Sequence, residues 1–293
     1  PATWKDGKRY AWLLGIFVPT FPFLAWGLVE LTGWDLFWFT GVGLIFVIFP
    51  SLDYLGGFDD TNPPASVMAW LEQDRYYRWC TYLFLPVQFA GLIFSCWKWG
   101  SGELSTVAEF GLATTVGMVN GIAIATAHEL GHKRESVERW LSKIALAPTG
   151  YGHFFVEHNR GHHVRVSTPE DPASSRMGES FWRFLPRTVA GSFTSAWKIE
   201  AAHRRRAGKA VWSIGNDNLG SWLMSVVLFA GLCVVFGIEI LPWLLVQAVL
   251  GFSLLEVVNY LEHYGLARQK RPDGKYELTT PQHSWNANNT VSN

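Results

Sequence analysis

Six histidines in this chain recur in a pattern that transition metals require. His128 and His132 bound a His-Glu-Leu-Gly-His run, and His158, His162 and His163 belong to a Glu-His-Asn-Arg-Gly-His-His run. His263 follows inside another Glu-His pair. Residues four apart on a helix share a face, which pairs His128 with His132 and His158 with His162 and leaves His163 as a neighbouring ligand. Imidazoles crowded this closely repel one another when protonated and bury poorly when unpartnered, and a bound transition metal removes both penalties. Five convergent nitrogens exceed what one tetrahedral zinc accepts, which points to two metals. The expected ligands are His128, His132, His158, His162, His163 and His263.

Carboxylates accompany each cluster. Glu129, Glu157 and Glu262 each adjoin a histidine and suit partners that accept the second ring N–H and hold the tautomer. Glu256 and Asn259 precede Glu262 and His263 on one helical face of an apolar segment, where ionisable groups are costly and mark function. Asp53, at the end of another apolar run, is a further candidate for a supporting role beside the metals. His153, His203 and His283 are not read as ligands. His-Glu-x-x-His also matches the zinc-protease motif, in which the glutamate is the base. That enzyme needs one further ligand, whereas this chain supplies four more clustered histidines. A metal-binding transporter is a third class, since histidines and polar stripes also line ion paths.

The elements that must position these residues are membrane helices. Of 293 residues, 49% are hydrophobic and 15% aromatic, while 16% are charged, well below a soluble domain. The formal net charge of zero argues against a nucleic-acid partner. Cys80, Cys96 and Cys233 lie in apolar runs without a ligand or disulfide pattern. The first apolar run is too long for a cleavable leader and lacks a small-residue cleavage site. Apolar segments at about 10–31, 36–55, 79–97, 108–127, 219–236 and 241–261 each approach the roughly twenty residues of a span. The expected fold is therefore all-α, six transmembrane helices and one catalytic domain over 1–293. A polar region, 133–218, completes the histidine-rich cap. Basic residues at the N-terminus, at both ends of that region and in the tail all fall on one side of a six-span topology, which the positive-inside rule makes cytoplasmic. The small residues of the fourth span allow close helix approach or leave room for a chain-like ligand.

With these motifs assembled, the chain resembles the integral-membrane alkane monooxygenases, relatives of the membrane fatty-acid desaturases and hydroxylases. The resemblance rests on His128–His132, Glu157–His163, the run Val164–Ala173 and Asn259–Gly265 (Asn-Tyr-Leu-Glu-His-Tyr-Gly). It implies two non-haem irons held by histidines and O₂ as oxidant. It also implies hydroxylation of the terminal methyl of medium-chain n-alkanes, electrons delivered by rubredoxin, and a site on the cytoplasmic side of a bacterial inner membrane. Desaturation or hydroxylation of an acyl chain is the close alternative. Because such a substrate offers no polar handle, selectivity must come from an apolar channel, for which Leu44, Ile45 and Leu254 are candidate walls. Arg134, Arg160, Arg165, Arg204, Arg205 and Arg206 are candidates for docking an acidic rubredoxin; contact with anionic membrane lipid is the competing role for such a basic face. The resembled family carries one more histidine cluster beyond the position of Ser284-Trp285-Asn286. We therefore expect the chain to continue past Asn293 with roughly three further histidines, since six ligands are few for two irons.

Overall fold

The computed structural model describes residues 6–59, 63–71, 73–133 and 135–291. Arg134 lies outside the described residues. The chain runs through α1 (Arg9–Thr32), α2 (Asp35–Gly56), the short α3 (Ala65–Leu71), α4 (Arg75–Gly100) and α5 (Thr106–Gly131). Next come α6 (Ser136–Leu146), α7 (Phe154–Glu157 continued by His158–His162 and His163–Arg165) and α8 (Phe181–Arg206), then α9 (Asp217–Phe236) and α10 (Ile238–His263). Among the described residues, six helices are long and apolar enough to cross a membrane: α1, α2, α4, α5, α9 and α10. They match the six expected spans, with ends set by caps that hydropathy does not register. α4 starts at Arg75, a turn before the expected third span, because Asp74 accepts the Tyr76 N–H at 2.9 Å and the Arg9 guanidinium at 2.6 Å.

The helices sort into two compact units, 1–126 with 231–250 and 287–293, and 127–230 with 251–286. In the first, the small residues of α5 serve close packing. A side chain at Gly41 would meet the Thr115 backbone at 2.8 Å, and one at Gly111 would meet Trp38 and Phe39 at 2.8 Å. Thr115 seals that crossing: its hydroxyl donates to the Trp38 carbonyl at 2.6 Å and accepts the Gly41 N–H at 2.9 Å. Across the unit, buried amides link three spans. Gln88 donates to Asn120 at 2.9 Å, and Asn120 donates to Gln247 at 2.8 Å. Interhelical hydrogen bonds of this kind hold spans together where burial of apolar surface cannot.

The second unit contains every histidine of the chain. Its polar frame is an ion network. Arg160, in the middle of α7, is bound by Glu200 of α8 and by Asp217 of α9 at 2.9 Å. Lys143 of α6 reaches the same Asp217 at 2.6 Å. Arg165 pairs with Glu157 at 2.5 Å and with the Ser195 hydroxyl at 2.7 Å, closing over Gly161, where any side chain would strike both partners. Arg187 grips Glu179 through two nitrogens at 2.7 and 2.8 Å and holds the carbonyls of Pro172 and Ser174 at 3.1 Å, fixing the loop between α7 and α8.

Candidate metal centre

His128 sits on the last turns of α5 and His132 follows its end, so their spacing brings the rings together, with Nε2 atoms 2.9 Å apart. His158, His162 and His163 lie on α7, which widens into a π-turn over His158–His162. That wider turn changes the expected pairing. A π-turn is wider than an α-turn, so both i+4 and i+5 come near the face of residue i, whereas an α-helix turns i+5 away. His158 therefore has both rings beside it, His162 stacked at 5.4 Å between centroids and His163 edge-on at 4.4 Å. One ligand atom from each of His128, His132, His158 and His163 lies within 4.8 Å of all the others.

The donor set fits a metal. His132 and His163 approach through Nε2 at 3.3 Å, and two ring protons cannot occupy so short a gap. Nε2 of His158 is buried without a hydrogen-bond partner, which is costly for a polar atom that water cannot reach. Burial first, then the charges of the surrounding imidazoles, hold His158 far below the ordinary histidine range and lower His163 as well. Both rings are thereby kept neutral, as ligands must be.

His162 turns the other way. Its Nδ1 meets Asp171 Oδ2 at 2.9 Å, and its ring lies 5.0 Å from that of His263. Burial opposes the charged form of His162, but the hydrogen bond and charge of Asp171 outweigh it and raise the pKa. Asp171 in turn accepts the Ser174 hydroxyl at 2.6 Å and remains below the usual carboxylate range despite burial. His263 directs Nδ1 toward the His283 carbonyl at 3.4 Å. His162 and His263 thus form a second pair, each anchored through Nδ1 with the opposite nitrogen left for a ligand bond.

Among the described residues, Glu129, Glu157, Glu262 and Asp53 bind groups other than these rings. Glu129 is exposed and pairs with Lys133 at 2.7 Å. Glu157 is clamped by Arg165, and Glu262 accepts the Ser284 hydroxyl at 2.8 Å. Asp53, in the first unit, accepts the Val291 N–H at 2.7 Å. Adjacency in sequence fails as a guide because neighbouring residues on a helix diverge by more than a quarter turn. Asp171, the carboxylate that touches His162, is not singled out by the sequence; its position in the Val164–Ala173 run is the available signal.

Glu256 is fully buried and accepts from Tyr151 at 2.8 Å, Thr188 at 2.9 Å and Asn259 at 3.2 Å. A small cavity touches Glu256, Tyr151, Phe154, Glu157, His158 and His162, so this polar cluster borders both histidine groups. His153 lies beneath Tyr151, buried against Phe193, with burial taking its pKa down to about 4. His203 is exposed and His283 buried. Leu44 and Ile45 are half-buried in the first unit, and Leu254 is buried in the second.

The basic candidates divide. Arg160 and Arg165 are consumed by internal carboxylates, and Arg204 binds the carbonyls of Ala210 and Gly215. Arg205 and Arg206 remain exposed.

Known proteins share this arrangement of sequence. Residues 105–293 match the fatty acid desaturase family. The chain is 47% identical to alkane 1-monooxygenase 1 of Alcanivorax borkumensis, over 98% of this chain and 71% of that protein. Identity is 46% to alkane 1-monooxygenase of Ectopseudomonas oleovorans and 45% to that of Pseudomonas putida, each over 98% of this chain and 72% of the relative.

Proposed function

Because this chain belongs to the fatty acid desaturase family, and within it to the alkane 1-monooxygenases, we propose that it hydroxylates the terminal methyl of medium-chain n-alkanes with O₂ and rubredoxin-delivered electrons. It is an integral membrane protein and an oxidoreductase. The observation that carries the proposal is the convergence of His128, His132, His158 and His163 beside the separate pair His162 and His263.

In this reading the first four histidines would hold one iron and the pair would contribute to a second. Two irons, when bound, supply the reductive activation of O₂ that amino-acid side chains cannot perform. The chain's own residues prepare the site for that chemistry. Asp171 keeps the proton of His162 on Nδ1 and so presents Nε2 as a ligand. The π-turn and the Arg165–Glu157 clamp fix His158 and His163 in one orientation. Tyr151, Thr188 and Asn259 immobilise the buried Glu256 carboxyl group, whose oxygens would otherwise lack hydrogen-bond partners in an apolar helix. Hydroxylation consumes O₂, two electrons and two protons and returns alcohol and water. Leu44 and Ile45 in the first unit and Leu254 in the second are each proposed as separate apolar contacts for the substrate, since an alkane can be selected only by shape. Arg205 and Arg206 are the exposed cations proposed to receive rubredoxin. The basic segments bordering the spans support a cytoplasmic site in a bacterial inner membrane.

The test is product analysis with the purified enzyme in lipid nanodiscs, reduced rubredoxin and isotopically labelled O₂. Octane should yield 1-octanol carrying the oxygen label. Untouched octane, with an alkene formed from an acyl substrate, would move the assignment to a desaturase.

A further inference from the structure

Helix α6 is amphipathic in the wrong sense for water. Val137, Trp140 and Ile144 recur at helical spacing and are 61%, 53% and 36% exposed. The opposite face buries Glu138 and Ser142 at 1% exposure together with Ala145 and Leu146. A soluble helix turns its apolar stripe inward and its polar stripe outward. Here the apolar stripe is outside, so an apolar medium or partner must cover it.

The positions of the helix ends identify the cover. α6 begins at Ser136, five residues past the end of the membrane-length α5 at Gly131. Toward its C-terminal end Lys143 is bound at 2.6 Å to Asp217, the first residue of the membrane-length α9. Arg139 approaches the same carboxylate at 3.9 Å. Arg139 and Lys143 are therefore both tied to the first residue of a membrane-length helix. Trp212 and Ile214, 77% and 68% exposed, lie just before Asp217 and add to the outward apolar surface at that level. Trp140 carries the Lys143 ammonium 4.9 Å from its ring, the pairing of amphipathic ring and cation that suits a headgroup layer.

We propose that α6 lies in the phospholipid headgroup layer with Val137, Trp140 and Ile144 seated in the lipid. The occupant of this face is the bilayer itself, continuous with the lipid around α5 and α9. Seating the helix there also steadies the metal centre. Ser142, on the buried side, donates to the carbonyl of Ala127 at 2.6 Å, one residue before His128. The lipid-held helix thus braces the turn that carries His128 and His132.

The test uses the full chain in nanodiscs of phosphatidylcholine and phosphatidylglycerol. A fluorescent amino acid is placed singly at Val137, Trp140, Ile144, at Asp273 as an exposed polar reference and at Val227 as an exposed reference on α9. The first three positions should be quenched by a lipid bearing a nitroxide near its headgroup and protected from aqueous iodide, as expected for a face buried about 5–10 Å below the surface. Iodide quenching equal to that at Asp273, with no response to the nitroxide lipid, would overturn the proposal and favour a protein partner on this face. Should labelling perturb folding, a photoreactive phospholipid applied to the unmodified protein provides the second measurement. Adducts are expected on the peptide Trp140–Lys143; adducts confined to the spans would equally reject it.

Discussion

His162 and Asp171 meet through Nδ1 and Oδ2 at 2.9 Å, and both residues are buried. This contact assigns the ring proton of His162 and therefore which nitrogen faces the metal centre. Asp171→Asn places an amide where the carboxylate accepted, and should weaken metal binding at the His162–His263 pair by about 10–100-fold. Metal content after graded chelation reads this directly. Loss of one metal per chain ahead of the other is expected, and simultaneous loss of both would refute separate anchoring.

The two groups of histidines should also separate under substitution. His158→Ala removes a member of the four-nitrogen cluster. His162→Ala leaves that cluster complete and disrupts the pair with His263. Elemental analysis of the two variants should show different residual metal, with more retained in His162→Ala, while both lose hydroxylation. Equal retention would show that the six nitrogens act as one set.

Tyr151→Phe removes one of three donors from the fully buried Glu256. A buried acceptor deprived of one donor costs about 1–3 kcal/mol, and a lowered thermal unfolding midpoint in detergent is expected. Thr188→Val tests the same carboxylate from α8 and should lower the midpoint similarly. An unchanged midpoint in both variants would mean that water replaces the lost donors.

Reversing Arg205 and Arg206 to Glu should slow reduction by rubredoxin, most strongly at low salt, with metal content intact. Arg160→Ala should behave differently. It removes the guanidinium from the nearly buried Glu200 and leaves it only the Asp217 N–H at 3.3 Å, so a stability loss of about 3 kcal/mol is expected. Stopped-flow reduction beside thermal unfolding separates the two; normal reduction kinetics in the double reversal would remove these arginines from the docking surface.

The Glu179–Arg187 pair gives a pH dependence with a definite sign. The guanidinium hydrogen bonds first, against burial, hold Glu179 below the ordinary carboxylate range. A carboxylate depressed in the folded state contributes stability above its unfolded pKa and loses it as pH falls through the folded value. Wild-type unfolding temperature should therefore fall as pH is lowered from ~7 toward ~3, and Glu179→Gln should start lower and fall less. Parallel curves for the two proteins would contradict the assignment.

Much of this molecule was legible before any tertiary contact was known, because the decisive signals are local. An apolar run of membrane length remains apolar whatever surrounds it, so the six spans emerged with errors only at ends such as Asp74, where a side-chain cap adds a turn. The density of histidines likewise announced a cluster able to hold metal, and the motifs around them the family. Folding decided how those residues are shared out. A π-turn, invisible to a four-residue spacing rule, brings His163 as well as His162 to the ring of His158, and it is His163 that converges with His128 and His132. The partner of His162 is Asp171 in a loop, held by Arg187 from α8, whereas the adjacent glutamates Glu129, Glu157 and Glu262 turn to Lys133, Arg165 and Ser284. Arg160 and Arg165, which composition presents as free cations, are spent on carboxylates distant in sequence. Charge and ligand type are properties of a residue and can be read singly. Which groups satisfy one another is a property of pairs, set by long-range packing, and in this protein it is those pairs that turn a set of histidines into a site.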